Sequence, residues 1–474
     1  MNNTKLDSLK MDLFIGLDLE EIDFSFNNIS ALEPFSFPSL KKIDLRNIRF
    51  LCDLSFEMFL NSNVTDIDFS NNKLEMNLKL LENMTKLEII ELSNTGLDSI
   101  EELSLFKFKS LIELDLSKNN LTNITYDSFK NLNNLQYLDL SDNQISSMDT
   151  EIFKIITNAL FINLDNNKLS TVGSLYLNYM SIQTLMLSNN QLETYPTFDV
   201  NFAINVPTRL TKFYLNKNNL TNIAFFSEWL AEVEYLNFDD NKIEFIEANA
   251  FVNLRGLNYL TIANNKLTKI AKNNFNPLFS LTRLNLSNNY ISHIENGSFQ
   301  NLNKLIFLDL SFNSFKSIEN NVFYGLFSLK SLYLNSFYDY MILEQSFNHL
   351  IAASNIYLNE SLLYFLSNKC FFINSLKRKV ERQINEFYFY YSSINLITNS
   401  NEISCELTFE LIQFNIHLNI KSENDFENFY TKCYNFITIS NFTYKAHYEE
   451  CGRVNNSTAL NNTETEFFNP NLYP

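Results

Sequence analysis

The chain has 474 residues, 45% hydrophobic and 19% charged, which is enough apolar content to bury a core and excludes a disordered chain. Its formal net charge of −18 argues against nucleic acid and anionic membrane surfaces as partners, while basic partners stay open. No apolar run approaches the roughly eighteen residues of a membrane helix, so no direct membrane insertion is expected.

The first ten residues, "MNNTKLDSLK", lack the apolar stretch of a signal peptide. Leu6, Leu9, Phe14 and Leu17 share the spacing of Leu121, Ile124, Phe129 and Leu132, so the sequence opens inside a repeating unit, after its strand. The strand near Ile22 and Phe24 is then expected to be an unpaired edge, which terminal repeats normally protect with a polar cap. This reads as a fragment or a gene model missing its 5′ end; the alternative is a complete cytosolic protein with a ragged first repeat.

The repeating unit is clearest in "LIELDLSKNNLTNI", Leu111 to Ile124. Aligned on Asn119, the template L-x-x-L-x-L-x-x-N-x-L places its Asn position at Asn27, Ile48, Asn72, Thr95, Asn119, Asn143, Asn167, Asn190, Asn218, Asn241, Asn265, Asn289, Asn313 and Phe337. Most steps are 23 or 24 residues, and one step of 28 carries Pro196 and Pro207. A degenerate last unit keeps Ile356 and Leu358 but has Ser361 for Asn. Each unit is expected to lay down one short strand, with Leu114 and Leu116 inward and the residues between them toward solvent. The Asn is expected to turn inward and satisfy backbone groups in the bend. One unit cannot bury its own leucines, so only stacking makes the core. A phenylalanine recurs in the second half of the unit, at Phe129, Phe153, Phe251, Phe275, Phe299, Phe323 and Phe347, to fill the convex side.

These in-phase copies resemble the leucine-rich-repeat family over roughly Leu6–Leu363. The resemblance implies an α/β leucine-rich-repeat solenoid, a horseshoe with a parallel concave β-sheet. The recurrent Phe, often followed three residues later by Leu as in "FKNL" and "FQNL", resembles the subtype of about 24 residues found in animal extracellular proteins such as Toll-type receptors and adhesion proteins. It implies a receptor or adhesion-type protein, extracellular or at the cell surface, with a protein ligand on the concave face. An intracellular scaffold and a secreted matrix protein remain alternatives.

Read in columns, the x of L-x-L gives Asp23, Asp44, Asp68, Glu91, Asp115 and Asp139 and then stops being acidic, at Asn163, Met186 and Tyr214. "LDLS" is close to the family consensus, so these acids read first as scaffold, with a basic partner or a cation as the functional readings. Two residues earlier stand, from the sixth repeat on, Tyr137, Phe161, Thr184, Lys212, Tyr235, Tyr259, Arg283 and Phe307. With Met186 and Tyr214 they form an aromatic patch out of phase with the core, a candidate partner-binding site. The competing reading is β-propensity and cross-strand packing.

From residue 364 the period breaks, and an irregular C-terminal cap over 364–452 and a flexible polar tail over 453–474 are expected. "SLKRKVERQINEFYFYY" places Leu376, Val380, Ile384, Phe387 and Tyr391 on one helical face, and "CELTFELIQFNIHLNI" reads as strand. Cys370, Cys405, Cys433 and Cys451 allow three connectivities. The family resemblance implies Cys370–Cys433 and Cys405–Cys451, although the early C-x-C of the family cap is missing. Sequons include Asn28, Asn63, Asn83, Asn120, Asn123, Asn219, Asn296, Asn359 and Asn441. They support secretion only mildly in so Asn-rich a chain, and Asn285 lies on the strand face, which a glycan there would block. No P-loop, dinucleotide glycine pattern, G-x-S-x-G, C-x-x-C or metal-ligand spacing occurs, so no enzyme, cofactor or metal is expected.

Overall fold

The structure, a computed structural model, describes residues 14, 16–29, 37–48, 63–73, 81, 84–101, 105–175, 180–198, 209–224, 230–335, 341–342, 350, 355–357, 394–397 and 416–419. The chain divides into two compact units, Met1–Ile356 and Tyr357–Pro474.

The first unit is a parallel-sheet solenoid, as the spacing predicts. Each L-x-L forms a three-residue strand because alternate side chains of an extended chain point to opposite faces. In Glu113–Asp115, Leu114 is wholly buried while Glu113 and Asp115 lie half-buried on the other face. The next strand pairs in parallel, Glu113 opposite Tyr137, Leu114 opposite Leu138 and Asp115 opposite Asp139. This register runs unbroken from Glu21–Asp23 to Ser331–Tyr333. Across the longer step, Thr184–Met186 and Lys212–Tyr214 still pair directly.

After each strand the chain must turn, and the turn would strand buried backbone groups. The residue before the ladder asparagine adopts the left-handed conformation, for example Lys118, Asp142, Asn166 and Asn189 with φ between 52° and 57°. Asn and Asp tolerate this region better than other side chains. The asparagine itself goes inward. Asn143 Nδ2 donates to the carbonyls of Leu116, Leu140 and Ser141, and its Oδ1 accepts from the Leu121 N–H. Asn119, Asn167, Asn190, Asn218, Asn241, Asn289 and Asn313 repeat the pattern. At Thr95, where the asparagine is replaced, the hydroxyl keeps one of these bonds, donating to the Leu92 carbonyl.

The return half of the unit is irregular. It forms 3-10 turns at Leu105–Lys107, Tyr126–Phe129 and Thr150–Lys154, and short outer strand pairs such as Asn123–Ile124 with Ser147–Met148 and Lys269–Ile270 with His293–Ile294. His293 is exposed there. The recurrent phenylalanines close the core on this side. Phe251, Phe275, Phe299 and Phe323 are buried and stack in sequence, with centroids 6.2, 6.3 and 6.4 Å apart.

In the second unit, Ile394–Ile397 pairs in parallel with Ile416–Asn419. The expected helical face from Leu376 to Tyr391 and all four candidate disulfide cysteines lie outside the described residues.

Candidate functional site

The outward side chains of the main sheet form two columns, one on each side of the buried middle residue of every strand. In the column containing Asp115, the acid has a local job. Asp23, Asp44, Asp68, Asp115 and Asp139 each accept the backbone N–H two residues on, at 2.8–3.0 Å, which closes the strand. Asn163, Asn237 and Asn285 do the same through Oδ1 at 2.8–3.1 Å. The change from Asp to Asn along the column therefore keeps the turn and drops the charge.

That charge is unevenly compensated. Arg46 forms a forked pair with Asp44 and reaches Asp68 at 2.9 Å. Hydrogen bonding to Asp44 drives the guanidinium further toward its charged form. Glu91 lies opposite Asp68 on one side and Asp115 on the other. Burial, then a carboxyl hydrogen bond to Asp68, pushes its pKa up to about 8. The protonated form of Glu91 is thereby favoured. Glu113 and Asp115 are also raised, first by burial and then by the neighbouring acids.

The other column carries most of the aromatics, and Tyr214 and Tyr333 reach them from the first column. Tyr137 and Phe161 stack with centroids 4.5 Å apart and planes 2° apart. Tyr214 meets Tyr235 at 4.9 Å, and Tyr235 stacks on Tyr259 at 4.8 Å. Phe307 meets Tyr333 at 5.1 Å, and the Arg283 guanidinium lies 5.8 Å from the Phe307 centroid. These separations match the strand spacing, so rings on consecutive strands meet, stacked in Tyr137–Phe161 and Tyr235–Tyr259 and tilted in Tyr214–Tyr235 and Phe307–Tyr333. All these rings are half-buried, each partly covered by its neighbour. Burial, chiefly, holds the hydroxyls of Tyr137 and Tyr235 up to about 12, so they stay protonated donors. Thr184, Met186 and Lys212 interrupt the run between Phe161 and Tyr235.

The columns read from sequence passed over the next position, the Ser of "LDLS". It holds Arg46 and two half-buried acids, Asp165 and Asp239. Burial raises Asp165 to about 6, although Ser188 hydrogen-bonds it, and the Asp239 carboxylate accepts from the Ala263 N–H at 2.6 Å. The available signal was charged residues in a column otherwise mostly of Ser. Of the sequons, Asn28, Asn63, Asn120, Asn123 and Asn296 are exposed and Asn219 is half-buried. Asn63 is engaged, donating to the Pro38 carbonyl at 2.6 Å and accepting from Lys86, and Asn123 accepts from Ser147 at 3.2 Å. Asn83, Asn359 and Asn441 lie outside the described residues. Among the described residues no group of three His, Cys, Asp or Glu is placed to hold a metal ion, and no helix is long and apolar enough to cross a membrane.

A leucine rich repeat model matches residues 85–145, 208–267 and 279–336, and a BspA type leucine rich repeat region model matches residues 2–88. The chain belongs to the leucine-rich-repeat family, whose solenoids act as binding scaffolds in protein–protein interaction. Among solved structures it is similar to Toll from the Toll–Spatzle complex of Drosophila, with 24% identity, a TM-score of 0.65, 77% of this chain and 51% of that chain covered. It is similar to a leucine-rich-repeat protein of Leptospira interrogans, with 22% identity, a TM-score of 0.57, 74% of this chain and 93% of that chain covered. The LRIM1/APL1C complex gives 18% identity, a TM-score of 0.51, 90% of this chain and 69% of that chain. The chain thus spans about half the length of the Toll chain, and these likenesses are of fold. No curated protein matches the chain.

Proposed function

We propose that the protein binds a protein ligand on the outward, concave face of its main sheet, as an extracellular receptor or adhesion-type protein. The observation that carries this reading is the run of ring stacks from Tyr137 to Tyr333, set on the side of the strands away from the core. The stacks are ordered before any partner arrives, so binding would lose little side-chain entropy there. Tyr137, Phe161, Met186, Tyr214, Tyr235, Tyr259, Arg283 and Phe307 are the proposed contacts. Support for the compartment comes from the repeat subtype, the exposed sequons and the Toll-like fold. The cap over 364–452 and tail over 453–474 belong to the same proposal.

The test is a photo-crosslinking residue placed at Thr184, in the gap of the aromatic run, or at Lys269 on an outer strand, in protein expressed in its own cells. A discrete protein adduct from position 184 and none from 269 is the expected outcome. Adducts from position 269 alone would put the partner on the wrong face. Enzymatic removal of N-glycans from the same sample should shift its mobility; no shift would favour the intracellular scaffold.

A further inference from the structure

The aromatic half of the face also carries two exposed cations. Lys212 and Arg283 stand in the same column, three strands apart, with Tyr235 and Tyr259 on the strands between them. Both cations are exposed, and neither forms an ion pair among the described residues. The companion column offers them no carboxylate over that stretch: it holds Tyr214, Asn237, Thr261 and Asn285. Asp239, the acid carried one position further on, has its carboxylate taken up by Thr261 Oγ1 and the Ala263 N–H. In a chain of net charge −18, two cations without an ion pair among the described residues flank a tyrosine stack and concentrate positive charge there, with Asp239 held one position away by its own hydrogen bonds.

We propose that this stretch docks an extended acidic segment of the protein ligand, with one carboxylate on Lys212, a second on Arg283, and an apolar side chain between them over the edges of Tyr235 and Tyr259. The proposal rests on the reading of this face as the protein-binding face. Distance supports it. Three strand steps of about 4.8 Å separate the two cations by about 14 Å, which is about four residues of extended chain at roughly 3.4 Å each. The stacked rings leave edges rather than faces exposed, and an aromatic edge is its electropositive part, which suits carboxylates and carbonyl oxygens. Arg283, packed against Phe307, is held in place for a forked contact to a carboxylate.

The test pans a surface-displayed library of random segments of about nine residues against the purified whole chain, the K212E/R283E double variant and the Y235A/Y259A double variant. Circular dichroism checks that each variant is folded. Segments enriched on the unaltered chain should carry two carboxylates about four positions apart around an apolar residue. They should bind the charge-reversed variant about tenfold more weakly or worse, and lose affinity as salt shortens the screening length from about 10 Å to about 3 Å. Enrichment of basic or uncharged segments, equal binding to the charge-reversed variant, or no enrichment would each overturn the proposal. If the crosslink at position 184 still captures a protein in those cases, only the ligand chemistry is wrong; if it also fails, the face itself is wrong.

Discussion

The Asn143 amide makes four hydrogen bonds, one to the Leu121 N–H and three to the carbonyls of Leu116, Leu140 and Ser141. Two repeats share them, so the side chain acts both as turn and as staple. Asn143→Leu keeps the volume and leaves these buried groups without partners, each costing about 1–3 kcal/mol. Chemical denaturation should show a loss of at least about 2 kcal/mol, against less than about 0.5 kcal/mol for Asn120→Ala, an exposed asparagine one repeat earlier. Equal losses would remove the ladder from the account of stability. Glu91 makes the converse case, a side chain whose protonated form the fold favours. Its folded pKa of about 8 stands above its ordinary 4.5, so the folded protein holds this proton more tightly than the unfolded chain does. The stabilisation is complete below the ordinary value and is lost as pH rises through about 8. Melting temperature should therefore fall between about pH 5 and about pH 9, and Glu91→Gln should flatten that slope. Parallel slopes in the two proteins would show that Glu91 is not the group responsible.

At the scale of elements, the solenoid is held by strands of three residues that would be unstable alone. The Phe251–Phe323 spine compensates on the return side, where the chain forms turns instead of a regular helix. Close approach there is tight: Gly325, at φ 102°, sits so near the Gln300 backbone that a Cβ would overlap it. Phe275 is fully buried between Phe251 and Phe299, and Phe275→Ala should cost about 3–5 kcal/mol in a denaturation experiment. A loss under about 1 kcal/mol would mean that the neighbouring rings close over the gap. The short strand was legible in the sequence because L-x-L alternation admits one geometry. The outer strand pairs and 3-10 turns were not, because two- to five-residue elements leave no periodic trace.

For the molecule as a whole, the period by itself determined a great deal. Leu111, Leu114, Leu116, Leu121 and Ile124 are all fully buried, and Asn119 occupies the bend. Repetition explains why: each unit contacts its own copies, so one local pattern dictates the long-range contacts. The sequence also located the change from acidic to aromatic rungs near Asn163 and Met186, because register is fixed by the repeat. It could not say what the two columns do. Only stacking in three dimensions showed that Asp115 closes its own strand on Ser117, that Glu91 is placed between acids that raise its pKa, and that Arg46 is shared by Asp44 and Asp68. Only stacking showed the rings covering one another, with Lys212 and Arg283 left among them. The core follows from a pattern within one chain segment, which a sequence displays directly. The character of the face follows from distances between side chains more than twenty residues apart, and those exist only after the repeats have stacked.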